Sequence, residues 1–191
     1  IDEHVFINFK SLSKVTFPKT LKIIEEHAFE GCSELKELIF PNIIVKIGIT
    51  AFFGCRSLDT VEGLSNIYEI FYEYGQKLET SKNPNFAKEA YQYYNVLVKR
   101  KDLRSINQLG IIYYRGKYVN IDKVEAKKYF KMAADYGLDL AMVNYANLLK
   151  ESNEINYDEV IRYYKMAISK GNSTAMNNYG QMLESGFGTE V

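Results

Sequence analysis

The chain has 191 residues, 47% of them hydrophobic and 25% charged, enough for one large or two small globular domains. Its 24 basic and 24 acidic side chains cancel at a pI near 6.9, so it carries no electrostatic footprint for DNA, RNA or an anionic membrane. No apolar run approaches the roughly 20 residues of a membrane span; the stretch from Leu38 to Ile49 is interrupted by Pro41, Asn42 and Lys46. The richest basic cluster, Lys99, Arg100, Lys101 and Arg104 around Asp102, reads as a solvated helix end. The chain opens at Ile1 and closes in a glycine loop at Val191, so it reads as a fragment with room upstream for a signal or anchor.

Shifted by 23, the first 64 residues fall on themselves without a gap. His4 lands on His27, Phe6 on Phe29 and Phe52, Leu12 on Leu35 and Leu58, and Val15 on Leu38 and Val61. Phe17 and Pro18 land on Phe40 and Pro41, and Ala28, Gly31 and Cys32 on Ala51, Gly54 and Cys55. One such turn of chain cannot bury its own apolar face, so turns must stack and share a core. Leu35, Leu38 and Phe40 are expected to point inward from a short strand that Pro41 ends. Gly63 and Leu64 replace the Phe-Pro pair, so the coil is expected to end there.

These turns, "IIEEHAFEGCSELKELIFP" above all, resemble the BspA-type leucine-rich repeat, whose pattern is I-x-x-I/H-x-x-A-F-x-x-C-x-x-L-x-x-I-x-I/F-P. Cys32 and Cys55 then share one rung with Phe9, an apolar position where a free thiol behaves as a small hydrophobe; stacked turns also allow a disulfide. His4 and His27 share another rung and read as a stacked pair, since two histidines alone make a poor metal site.

Residues 65 to 85 match neither repeat. "NIYEIFYEYGQKLE" is helical and amphipathic and is expected to cap the coil and join the two solenoids. Ser81 to Asn85, with Pro84, reads as the turn into the next helix.

From Phe86 the apolar spacing is helical. A shift of 34 carries Tyr129, Phe130, Lys131, Met132, Ala133 and Gly137 onto Tyr163, Tyr164, Lys165, Met166, Ala167 and Gly171. It also carries Ala141, Met142, Asn144 and Tyr145 onto Ala175, Met176, Asn178 and Tyr179. A shift of 36 reaches back from Ala146 to Gly110, and a worn copy, Ala90, Tyr93 and Tyr94, precedes Ala126, Tyr129 and Phe130. Each unit reads as two antiparallel helices, with small residues Gly110, Ala146 and Gly180 allowing close packing. The segment "INQLGIIYYRGKYVNIDKVEAKKYFKMAADYGLDLAMVNYA" resembles the Sel-like repeat, a relative of the tetratricopeptide repeat. Tyr118 replaces its second loop glycine, and Ser152 stands where the next unit would have its first.

The expected fold is thus a tandem of solenoids, a short leucine-rich coil with β-strands followed by an all-α superhelix of antiparallel helix pairs. The domain limits are 1–64, 65–85 and 86–191. No phosphate-binding loop, dinucleotide fingerprint, zinc motif or paired CxxC is present, so no catalytic residue, cofactor or metal ligand is assigned. Carboxylates such as Glu25 with Glu26 or Asp158 with Glu159 read as solvated, and the 16 tyrosines, at helical spacing, mainly as core. The triplet Asn172-Ser173-Thr174 is a glycosylation sequon.

The resemblance to the tetratricopeptide repeat implies one row of site residues. The position before the L-G pair of the first helix faces the binding groove there, and an asparagine at that place holds a peptide backbone or terminal carboxylate. Here it carries Gln108, Asn144 and Asn178. Both resemblances imply protein or peptide partners, and the balanced charge and lack of a spanning apolar run argue against nucleic acid or membrane insertion. The function expected is a non-catalytic cytoplasmic scaffold or adaptor, part of a larger signalling protein. The alternatives are a cell-surface adhesin or antigen using the coil, and the targeting region of an enzyme whose catalytic domain lies elsewhere.

Overall fold

A computed structural model describes residues 1–41, 44, 46–63, 67–82 and 84–187. Leu64, where the coil is expected to end, and Gly188 of the last glycine loop lie outside the described residues. The chain divides into two compact units, Ile1–Arg100 and Lys101–Val191.

In the first unit the sequence period becomes strand register. Strands β1 (Lys14–Thr16), β3 (Glu37–Ile39) and β5 (Thr60–Glu62) form a parallel sheet in that order. Val15 pairs with Leu38 and Leu38 with Val61, so every side chain lies over its counterpart one period away. Strands β2 (Ile23–Ile24) and β4 (Lys46–Ile47) pair in the same way on a second sheet. Leu35, Leu38 and Phe40 are buried as expected.

The core consists of ladders. The rings of Phe6, Phe29 and Phe52 stack nearly parallel at 4.9 and 5.3 Å. Phe17 and Phe40 stand 4.8 Å apart. Cys32 and Cys55 are buried free thiols, which answers the disulfide question left open by the sequence. Each thiol donates to the carbonyl of the Phe one turn back, Cys32 to Phe6 at 3.0 Å and Cys55 to Phe29 at 3.2 Å. Burial pushes both thiols above their usual pKa, which keeps them in the unreactive protonated form.

The polar rungs repeat too. His4 and His27 stack at 5.2 Å with only 5° between their planes. The next rung holds Thr50, whose hydroxyl and N–H both donate to Glu26, as does the Ile49 N–H at 3.1 Å. Burial raises the Glu26 pKa, but these hydrogen bonds outweigh it and leave the carboxyl below its ordinary value. Glu26, read from the sequence as solvated, therefore clamps one turn to the next. Asn8, Gly31 and Gly54 occupy one left-handed rung, with φ of 57°, 73° and 76°; a Cβ on Gly54 would sit 3.3 Å from the Gly31 backbone, so both the conformation and the close approach favour glycine there.

Helices α1 (Ile67–Glu79) and α2 (Pro84–Lys99) pack as a pair that closes the last turn of this coil. Buried Phe71 lies 6.3 Å from Phe52 and 5.1 Å from Tyr93. The Tyr68 hydroxyl donates to the Val61 carbonyl at 3.1 Å. Lys99 pairs with Asp59, and Arg100 with Glu62. The closure thus includes α2, whereas the helical spacing groups residues from 86 onward with the helical repeats. The reason is a dual resemblance: a Cβ on Gly75 would meet the Tyr94 ring at 2.6 Å, just as one on Gly110 would meet the Phe130 ring at 2.5 Å. The α1–α2 pair therefore packs like a helical repeat while its Tyr93 and Val96 line one small pocket with Phe52, Cys55 and Leu58 of the coil.

The second unit is a run of α3 (Leu103–Arg115), α4 (Lys123–Asp135), α5 (Asp139–Leu149), α6 (Tyr157–Ser169) and α7 (Ser173–Glu184), each packed on the next. Four of their starts are set by side chains that accept orphan N–H groups: Asp102 from Ser105, Asp122 from Val124 and Glu125, Asn156 from Glu159, and Asn172 from Ala175. The fully buried face of α4 and α6 is Ala126, Ala133, Ala134, Val160, Tyr163, Tyr164 and Ala167. Gly110 makes the close approach expected of it, but nothing described lies within 4 Å of the position a Cβ would take on Gly180. Tyr118, standing in for the loop glycine, adopts φ of 73°. Where Ser152 replaces glycine, α5 ends at Leu149 and the Ser152 N–H turns back to the Leu149 carbonyl at 3.2 Å.

Polar links tie neighbouring helix pairs together. Asp135 of α4 accepts from Tyr163 of α6 at 2.6 Å and from Lys131 at 2.7 Å. Burial raises the Asp135 pKa, but the Lys131 and Tyr163 hydrogen bonds outweigh it and hold the carboxyl below its ordinary value. Asn172 is only 8% exposed, and its amide donates to Asp139 at 2.6 Å while its oxygen caps α7. The side chain of the sequon's asparagine is therefore engaged in the folded chain.

This packing sets three stability measurements. Phe29→Ala removes the middle ring of the ladder and is expected to cost about 3–5 kcal/mol in denaturant unfolding of the first unit. Gly110→Ala drives a methyl into Phe130 and is expected to cost about 1–3 kcal/mol, part of which Phe130→Leu restores. Asp135→Asn is expected to cost about 0.5 kcal/mol at neutral pH, the pair being about half exposed. A carboxyl with lowered folded-state pKa stabilises above its unfolded value, so this difference fades as pH falls through the folded value, read by thermal melts across acid pH.

Candidate peptide-binding face

Helices α3 and α5 each open a helix pair, and α7 holds the equivalent place after α6. Gln108, Asn144 and Asn178 lie one on each of these helices, and all three are partly buried. Asn144 and Asn178 each hydrogen-bond to an asparagine outside this row. Asn144 donates to Asn107 of α3 at 2.9 Å, and Asn178 donates to Asn147 of α5 at 3.1 Å. Each of these two amides thus ties its helix to the first helix of the preceding pair. Asn107 and Asn147 were not singled out in the sequence; the signal available was their amide character close to the row, Asn147 lying one helical turn, three residues, beyond Asn144.

Asn144 and Asn147 also line a cleft of about 170 Å³ between α3 and α5. Its apolar lining is Ile111, Phe130 and Leu148, and its rim carries Arg115, Tyr114 and Glu151. Gln108 is not among the residues that line it. Glu151 accepts from Lys123 at 2.7 Å and from the Tyr114 hydroxyl. The Lys123 ammonium and the Tyr114 hydroxyl hold the Glu151 carboxyl below its ordinary pKa, and the same bond raises that of Tyr114.

The hydrogen bonds already made fix what the cleft can offer. The Asn147 oxygen accepts from Asn178 and, at 2.6 Å, from the Tyr164 hydroxyl, so the amide nitrogen supplies the remaining donors. Asn144 spends one N–H on Asn107 and keeps a second N–H and its oxygen. Donors and an acceptor above an apolar floor suit an extended peptide, which presents both backbone groups and an apolar side chain. Among the described residues no group of three or more His, Cys, Asp or Glu side chains is placed to hold a metal ion, and no helix is long and apolar enough to cross a membrane.

Comparison with known proteins agrees with both halves of this architecture. The BspA type leucine rich repeat region matches residues 1–112 in six copies, and the Sel1 repeat matches residues 103–137, 140–172 and 173–191. No curated protein matches the chain. Among solved structures, a protective antigen of uropathogenic Escherichia coli displaying an SLR fold is similar at 25% identity and a TM-score of 0.59, over 64% of this chain and 27% of that one. A Sel1 repeat protein from Oxalobacter formigenes is similar at 23% identity and a TM-score of 0.57, over 64% of this chain and 50% of that one. The chain thus spans half or less of either protein's length. Both repeat families are typically protein-interaction modules. With parallel strands stacked at the period of the first repeat and helix pairs at that of the second, the chain belongs to the BspA-type leucine-rich repeat family and continues into Sel1 repeats.

Proposed function

We propose that the chain is a non-catalytic scaffold that holds peptide segments of partner proteins on the α3–α5 face, in the cytoplasm and as part of a larger signalling protein. One observation carries the reading: Asn144 and Asn147 keep unspent hydrogen-bonding groups over the apolar floor of Ile111, Phe130 and Leu148. Unspent amide groups in a half-buried cleft favour a ligand that satisfies them. The free, buried thiols and the engaged side chain of Asn172 support a location in which neither disulfides nor glycans form.

A second reading is a surface antigen or adhesin. It is favoured by the similarity to the Escherichia coli protein described as a protective antigen. The two readings differ in what they capture and where.

The test immobilises the whole 191-residue chain, captures proteins from the native cell and compares wild type with the Asn144→Ala, Asn147→Ala double variant by quantitative mass spectrometry. Each lost amide contact is worth about 1 kcal/mol, so soluble partners should weaken about fivefold per residue. A melting curve of the variant checks that loss of the Asn107 and Asn178 links has not unfolded it. Partners that bind the variant undiminished would sink the cleft, and capture confined to matrix or host-surface components would favour the antigen.

A further inference from the structure

Arg115 is an exposed guanidinium on the rim of the α3–α5 cleft and makes no hydrogen bond or ion pair among the described residues. The other charged lining residue, Glu151, is already engaged by Lys123 and Tyr114. The formal charges Arg115, Glu151 and Lys123 therefore leave one positive charge at the cleft, and it rests on Arg115. Beside it lie an apolar floor and the two amides described above.

We infer that the cleft selects an internal, extended peptide segment that carries a bulky apolar side chain next to an aspartate or glutamate. The inference rests on the scaffold reading and names the partner class for the same face. The apolar side chain fills the space over Ile111, Phe130 and Leu148. The acidic side chain meets Arg115, whose planar fork matches a carboxylate bidentately. Asn144 and Asn147, one helical turn apart, stand about 5–6 Å from each other at Cβ. That is close to the roughly 6.6 Å between alternate residues of an extended strand. They are spaced to meet successive backbone groups on one side of a continuing chain, which favours an internal segment over a chain end. A basic or neutral residue in place of the acid leaves Arg115 unpaired.

The experiment uses the whole 191-residue chain and an array of synthetic peptides capped at both ends. Each peptide holds Leu, Phe or Ala beside Glu, Gln or Lys, in both orders. Uncapped peptides ending in Leu form a separate arm. The expected result is binding of the capped Leu-Glu and Phe-Glu peptides about fivefold tighter than their Gln counterparts, the scale of a partly exposed ion pair. Ala-Glu peptides should be weaker. Arg115→Gln should erase the preference for Glu, Arg115→Glu should turn it toward Lys, and Arg115→Lys should keep part of it. Salt should weaken the preference, and far-ultraviolet dichroism should be unchanged in all three variants. Equal binding of Glu and Gln peptides, or a preference untouched by Arg115→Gln, overturns the inference. Tighter binding of the uncapped peptides overturns the internal segment. If no peptide binds while cellular partners still depend on Asn144 and Asn147, this inference fails and the scaffold reading stands; if that dependence is also absent, both fail.

Discussion

No single turn of the first unit, and no single helix pair of the second, presents enough apolar surface to bury itself. Burial is achieved only against the neighbouring copy, and this nearest-neighbour constraint shapes everything else. In the coil it acts through register. Because Val15, Leu38 and Val61 lie over one another, identical or similar side chains meet themselves, and the core becomes columns of Phe, Leu and Cys. Such a column needs a lid at its end. The α1–α2 pair supplies one, with Phe71 continuing the aromatic column of Phe52 and Tyr68 satisfying a carbonyl of the last strand.

The same constraint produces the polar links. Adjacent copies turn facing surfaces toward each other, so an amide, carboxylate or hydroxyl placed there has a neighbour within reach. Glu26 with Thr50, Asp135 with Tyr163, Asp139 with Asn172 and Asn107 with Asn144 are four instances. Each joins one copy to the next, and each satisfies polar groups that would be costly to leave unpaired. Their net worth is modest because most are partly exposed, but they fix which residues face which.

The α3–α5 cleft shows how a structural row becomes a recognition surface. Asn144 and Asn147 use only part of their hydrogen-bonding capacity on the fold. What is left over points to function, because an amide has more donors and acceptors than one neighbour can fill. The pairing of Glu151 with Lys123 and Tyr114 leaves Arg115 as the charge available on that rim.

The sequence by itself determined both repeat types, the inward set Leu35, Leu38 and Phe40, the stacked histidines and the helix pairs, because periodicity records which residues meet in neighbouring copies. It also pointed to Gln108, Asn144 and Asn178 as a row. Only the tertiary structure decided that Asn144 and Asn178 are spent in part on Asn107 and Asn147, that Arg115 shares a cleft with Asn144, and that α2 closes the coil. Those outcomes depend on contacts between residues far apart in the chain, which no local spacing encodes. The role of Gly75 is an example: Tyr94 aligns with Phe130 in the worn copy, but the equivalence of Gly75 to Gly110 emerges when the helices pack. Glu26 is another, a carboxylate whose surroundings are made by a turn 23 residues further on.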